Sequence, residues 1–333
     1  MRFKRLALLY TQKCTAECDI CCFSCGPKRA EKMSLSDAIS YVEQVTDIPS
    51  ISMVGVSGGE PFLYYPEILE IAKTANKQGL ASSCVTNGYW ATTKDIALRK
   101  LEGLQNFGLS LINVSLDTYH QQYVPLDNIS NILLAADELG LEKTLACTIT
   151  RASSRLYEMI TPLGNDICNT TLIELPCLPI GRAIEKIPLP DFLVDTSMLS
   201  LPCFDLNDLA IDPQGNAYPC CSQGGMTSVL CIGSAKKESL IDLEHHFRGN
   251  MICRLLASHG PGWFVKAIEN AGLGHKLNQS YTGICHLCYH ILSIPEMITV
   301  VQGVADMEGK AIIQRALDSI RQAQNVVSLG EQL

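Results

Sequence analysis

Short, nearly uninterrupted apolar runs alternate through the first half of the chain with longer stretches whose apolar positions recur every three or four residues. The runs at 6–10, 51–56, 81–86, 111–116, 145–149 and 171–175 predict strands covered on both faces, because such strands lose the polar alternation of a half-exposed sheet. Between them, 34–46, 66–78, 92–105, 129–139 and 154–164 carry the helical period. Ser34 and Asp37 make a capping pair for the first helix, and Gly79 and Gly140 stand where carboxyl-terminal caps belong. Six strand–helix units in series imply an α/β fold with a parallel sheet, curved into a partial (β/α)6 barrel of the TIM type. Functional side chains are then expected at the carboxyl ends of the strands.

Beyond residue 175 the rhythm breaks. Pro176, Pro179, Pro188, Pro190 and Pro202 cannot continue helices and mark a connector. We therefore place a barrel domain at 1–180 and, at 181–333, the connector, a small cysteine-rich module and terminal helices. In that module, 209–212 and 217–219 flank a Gly-containing turn, a hairpin that delivers Cys220 and Cys221 at its end. A helix over roughly 297–324 closes the pattern, and no internal repeat or low-complexity tract is present.

Composition changes this picture in one respect. The 333 residues carry a formal charge of −8 with no basic block, which removes the electrostatic footprint of a nucleic-acid partner. The first ten residues do not read as a signal sequence, and no apolar run approaches membrane-spanning length, so a cytoplasmic protein with no membrane partner is expected. Sixteen cysteines are then anomalous, because disulfides do not persist in a reducing compartment. Metal explains them better. They cluster at 14–25 and again at 203–288, which points to two metal sites.

The first cluster, Cys14-Thr-Ala-Glu-Cys18-Asp-Ile-Cys21, follows the first strand directly, so three thiolates converge from one loop. Three ligands on a four-iron cube leave one iron open, and an open position is what a cofactor requires; a zinc knuckle is the alternative on spacing alone. Ser57-Gly58-Gly59-Glu60-Pro61 follows the second strand, with glycines that expose backbone carbonyls and a carboxylate that balances positive charge.

The CxxxCxxC motif followed by GGEP resembles the signature of the radical S-adenosylmethionine (SAM) superfamily. The resemblance implies a 4Fe-4S cluster on Cys14, Cys18 and Cys21, whose open iron is chelated by SAM. It further implies that Gly58, Gly59 and Glu60 receive the SAM ammonium. More weakly matched positions are Asn87 after the third strand, Ser115 and Asp117 at the end of the fourth as ribose ligands, Arg151 after the fifth as a carboxylate ligand, and the backbone at Ile20 beside the adenine. His120 is a further candidate for contact with SAM or substrate.

In the second group Cys203, Cys220, Cys285 and Cys288 can supply four thiolates, leaving no open iron. This resembles the SPASM and twitch extensions of the superfamily and implies a second, auxiliary 4Fe-4S cluster. A structural zinc site stays open on spacing alone. Cys231 and Cys253 lie in the same segment, so the choice of four ligands among these cysteines and Cys221 stays open on sequence; either is alternatively an ordinary buried thiol, and Cys22 and Cys25 are read as packing beside the first loop.

Cys21-Cys22-Phe23-Ser24-Cys25, Asn87-Gly88-Tyr89-Trp90, Ser115-Leu116-Asp117-Thr118-Tyr119-His120, Tyr218-Pro219-Cys220-Cys221-Ser222 and Cys285-His286-Leu287-Cys288 together are similar to the radical SAM peptide epimerases. These convert L-residues of ribosomally made peptides into D-residues. The resemblance implies a precursor peptide as partner, a reductase, flavodoxin or ferredoxin as electron donor, Cys221 as the thiol that returns a hydrogen, and Asp208 as a carboxylate that positions substrate or handles protons. Two other readings stand beside it: a radical enzyme forming thioether or carbon–carbon crosslinks, and a zinc-stabilised peptide-binding protein without chemistry.

Overall fold

The computed structural model describes residues 1–197 and 199–330, with side chains described as far as 321. All six expected strands form: β1 (Arg5–Thr11), β2 (Met53–Gly58), β3 (Ala81–Thr86), β4 (Leu109–Ser115), β5 (Glu142–Ile149) and β6 (Thr170–Pro176). They pair in parallel in the order β6-β5-β4-β3-β2-β1. From Leu6 onward every residue of β1 is buried, as a strand covered on both faces requires.

The connecting helices are α1 (Leu35–Gln44), α2 (Tyr65–Lys77), α3 (Lys94–Gln105), α4 (Leu126–Glu138) and α5 (Leu156–Ile160). The Ser34 hydroxyl accepts from the Asp37 backbone N–H at 3.0 Å, closing the first turn of α1. After α2 and α4 the chain turns back through the glycines expected there: Leu80 N bonds Ala75 O and Leu141 N bonds Ala136 O. The fifth helix is shorter than the 154–164 the periodicity predicts. Pro162 removes an N–H, and a 3₁₀ stretch, Thr161–Ile167, takes over with Gly164 outside helical geometry.

The main departure lies in the second half. The connector folds into α6 (Arg182–Lys186) against the barrel mouth, and the strand after it, β7 (Asp208–Ile211), pairs in parallel with β1. β8 (Asn216–Tyr218) and β9 (Gly233–Ser234) follow antiparallel, giving one nine-stranded sheet. The hairpin therefore extends the barrel sheet instead of forming a detached one. All four residues of β7 are buried, and its pairing covers the β1 edge that the six-stranded unit would leave open. The barrel does not close: β6 stays at one edge and β9 at the other.

Among the described residues, five α-helices complete the module: α7 (Leu240–Gly249), α8 (Met251–His259), α9 (Val265–Asn270), α10 (Ile284–Ile291) and α11 (Pro295–Gly330). Their buried side chains, among them Phe247, Leu256 and Leu287, join the barrel helices in a continuous core, with Phe3 stacked on Phe247 at 4.4 Å. Among the described residues no single helix is long and apolar enough to cross a membrane.

Candidate functional site

The turn out of β1 runs straight into the cysteine loop, and the turn out of β2 is laid against it. Gly59 N donates to Thr11 O at 2.5 Å and Glu60 N to Lys13 O at 2.8 Å. A Cβ on Gly58 would sit 2.3 Å from Thr11 O, and one on Gly59 2.2 Å from Lys13 O. Gly58 also has a φ of +126°, so both glycines are demanded by close backbone approach as well as by any ligand.

These loops wall a cavity of about 790 Å³ at the carboxyl end of the sheet. Cys14, Cys18 and Cys21 line it together with Ile20, Gly58, Gly59, Asn87, Ser115 and His120. Backbone N–H groups point at the sulfurs: Ala16 N lies 3.4 Å from Cys14 Sγ and Cys25 N 3.4 Å from Cys21 Sγ. The Asn87 amide reaches Thr15 Oγ1 at 3.0 Å and Cys14 Sγ at 3.6 Å. The Cys25 thiol, then backbone donors, hold the Cys21 thiol below its ordinary range against the effect of burial, whereas burial pushes Cys14 up to about 12. Three sulfurs around an open cavity, with donors to spread thiolate charge, fit a cluster with one free coordination position.

Three expected cofactor ligands do not face this cavity. The Glu60 carboxylate is fully buried and accepts from Phe62 N at 3.1 Å, Thr86 Oγ1 at 2.9 Å and Asn87 N at 2.7 Å. Burial pushes it up and those three donors pull it down. It ties the β2 turn to the β3 turn and is not placed to balance charge in the cavity. Asp117 is likewise buried; it accepts from the backbone of Tyr119 at 3.0 Å and His120 at 2.9 Å, and from His120 Nδ1 at 2.8 Å. It therefore orients His120, which is the group that reaches the cavity. Burial works against the His120 cation, but the Asp117 carboxylate prevails and raises it well above its usual value. Arg151 is exposed, with its backbone bonded to Asp191 O at 2.7 Å.

The second cysteine group also converges. Cys203, Cys220, Cys285 and Cys288 line one small apolar cavity, with Leu206, Leu230, Leu256 and Ile284 between them. Cys285 and Cys288 share a face of α10 because three residues advance nearly one helical turn. Gly224 and Gly225 allow the approach, since a Cβ on Gly225 would lie 2.8 Å from that of Cys220. Burial raises all four thiols, Cys203 to about 11. Cys253 is buried inside α8, and Cys231 bonds Gly233 O at 3.5 Å; neither lines this cavity.

Cys221 turns the other way. It opens on a cavity of about 470 Å³ whose walls include Arg5, Gly55 and Asn113, and which shares Phe23, Ser57 and Val85 with the first cavity. Burial first, then the Asp208 carboxylate, push its thiol up to about 12. Arg5 forks the buried Asp208 through Nε at 3.0 Å and Nη2 at 2.5 Å, and Nη2 lies 3.9 Å from Cys221 Sγ.

Sequence reasoning missed two arginines here. Arg5 is the one charge at the head of a buried strand, and β7 brings Asp208 beside it by the register Arg5↔Asp208. Arg182, in the supposed connector, reaches back to the cysteine loop, bonding Cys18 O at 2.9 Å and Cys25 O at 2.6 Å. No local motif announces either.

Residues 8–137 match the family model described as the radical SAM superfamily. YydG of Bacillus subtilis (strain 168), a protein whose name assigns it to peptide biosynthesis, is 23% identical over 308 residues, 89% of this chain and 94% of that protein. A GTP 3',8-cyclase of Limosilactobacillus fermentum is 24% identical over 189 residues, 52% of this chain and 54% of that protein. Two solved structures share the fold. BtrN in complex with AdoMet and 2-DOIA has a TM-score of 0.52 at 14% identity, covering 79% of this chain and 90% of that one. SuiB of Streptococcus suis bound to S-adenosylmethionine has a TM-score of 0.51 at 15% identity, covering 73% of this chain and 65% of that one.

Proposed function

Because this chain carries a radical SAM domain over residues 8–137, we propose that it modifies a ribosomally made precursor peptide, and that the modification is inversion of L-residues to D-residues. A peptide as substrate is supported by the similarity, along most of both chains, to a protein named for peptide biosynthesis. When bound at Cys14, Cys18 and Cys21, the 4Fe-4S cluster with SAM supplies the radical that removes a Cα hydrogen. A reductase, flavodoxin or ferredoxin supplies the electron.

The chain's own part is the return of hydrogen. A planar Cα radical accepts a hydrogen atom from whichever face presents one; the Cα–H bond forms, the S–H bond breaks, and a thiyl radical stays on the protein. Cys221 suits that donation because it must hold its hydrogen beforehand, and burial and Asp208 keep it a thiol. Resetting the thiol takes one electron and one proton. Cys203, Cys220, Cys285 and Cys288 would hold the auxiliary 4Fe-4S cluster, which supplies redox capacity beside Cys221. Four thiols that converge on one small cavity suit a four-iron cluster or a tetrahedral zinc ion, and the likeness of this cysteine group to the SPASM and twitch extensions favours the cluster.

The observation that carries this reading is the split of the Cys220-Cys221 doublet: one sulfur opens into the four-cysteine cavity, the next into a cavity that shares walls with the SAM cavity. The test is anaerobic turnover of the reconstituted enzyme in heavy water with peptides encoded beside its gene. Cys221→Ala should still release deoxyadenosine while forming no D-residue, and wild type should add a single deuterium. D-residues from the variant would eliminate the donor role. Loss of two hydrogens from the peptide would establish crosslinking instead, and a colourless, zinc-loaded protein would establish the binding module.

A further inference from the structure

The connector after β6 does more than link two parts of the chain. Gly181 takes a φ of +63°, and a Cβ there would lie 2.2 Å from Cys22 O, so this segment is pressed on the cysteine loop backbone to backbone. Arg182 follows. Its backbone N–H donates to Cys21 O at 3.1 Å, Nη1 to Cys18 O at 2.9 Å and Nη2 to Cys25 O at 2.6 Å. Behind it Ala183, Ile187 and Phe192 form a small buried cluster with Ala16, Cys18, Ile20 and Cys177.

Two features set this arginine apart from a surface residue. Its side chain is 11% exposed, and the nearest carboxylate, Glu17, stands 3.9 Å away and is itself 56% exposed. The guanidinium thus spends its short bonds on carbonyl dipoles of the loop. With the carbonyls of Cys18, Cys21 and Cys25 drawn towards Arg182, the loop's N–H groups at Ala16 and Cys25 stay on the sulfur side. A planar fork can hold two carbonyls in fixed relation, which an ammonium on a flexible stem cannot.

We propose that Arg182 is a positioning residue for the SAM-binding cluster: it fixes the convergence of Cys14, Cys18 and Cys21 from outside the motif and places a shielded positive charge beside the metal. The fork governs retention of the cluster, as outer contacts to metal ligands do elsewhere. The charge favours the more negative, reduced state of the cluster. The inference rests on the cluster alone and is indifferent to the choice between epimerisation and crosslinking.

The test uses the full-length reconstituted protein without peptide, compared as wild type, Arg182→Lys and Arg182→Met. The EPR signal that SAM perturbs is followed in a redox titration and during exposure to an iron chelator. Arg182→Met should lower the reduced-to-oxidised ratio at fixed potential on the order of tenfold, about 59 mV for a one-electron couple. It should also lose that signal to chelator on the order of tenfold faster. Arg182→Lys should keep the potential and lose only the resistance to chelator. A Met variant with wild-type potential and wild-type resistance overturns the proposal. Should Arg182→Met fail to fold, wild-type resistance in Arg182→Lys overturns it equally.

Discussion

Replacing Glu60 with glutamine discriminates between two roles for the carboxylate of the glycine-rich turn. The side chain is completely buried and surrounded by donors: Phe62 N and Thr86 Oγ1 on one oxygen, Asn87 N at 2.7 Å on the other. Thr86 cannot reverse its bond, because its hydroxyl already accepts from Gly88 N and Trp90 Nε1, both at 3.0 Å. An amide that keeps its oxygen on Phe62 and Thr86 turns its NH2 towards the Asn87 N–H, donor against donor. Losing a hydrogen bond to a charged acceptor and stranding a buried N–H costs about 2–3 kcal/mol. The assay is urea unfolding of the metal-free protein, followed by the fluorescence of Trp90, which stacks on Phe62 at 4.3 Å inside this network. The midpoint should fall with the slope unchanged. An unchanged midpoint combined with weakened SAM binding would refute the reasoning, because it would mean that the carboxylate serves the cofactor and not the two turns.

Further outcomes follow from the proposed auxiliary cluster, from burial and from charge. On the proposal that Cys203, Cys220, Cys285 and Cys288 hold an auxiliary cluster, Cys288→Ala should cut the iron of the reconstituted protein from about eight to about four atoms per chain, and unchanged iron would refute that ligand set. Cys253→Ala, in the core but off the cavity wall, should keep all its iron and lose about 1–2 kcal/mol of stability. At the edge strand, Arg155 holds the Glu174 carboxylate below its ordinary range. A depressed carboxylate contributes stability above its unfolded value and loses it as pH falls through the folded one, so wild type should weaken as pH drops below about 4.5. Arg155→Met should flatten that part of a stability-against-pH curve; an unaltered slope would show that the pair contributes nothing.

The site was legible wherever its chemistry is contiguous in the chain. Cys14, Cys18 and Cys21 share one loop, and Gly58 and Gly59 follow a strand end, so short-range spacing was enough to place them together on the cavity wall. Glu60 and Asp117 show the limit of that reasoning. Both sit at the expected turns, yet each carboxylate faces backbone donors, because buried N–H groups must be satisfied and a nearby carboxylate does so most strongly. A sequence places a side chain on a turn and leaves open which way it points.

What the sequence determined by itself is local. Apolar periodicity laid down six strands and their helices, since burial on two faces or on one stripe leaves its mark within a dozen residues. Tertiary structure alone decided that β7 joins β1, that Asp208 meets Arg5, and that Arg182 closes on the cysteine loop from 164 residues beyond Cys18. Each joins groups far apart in the chain. What drives such joining is the need to cover an open sheet edge, pair a buried charge and satisfy the remaining acceptor capacity of buried carbonyls, and those demands exist only once the rest of the fold has removed water.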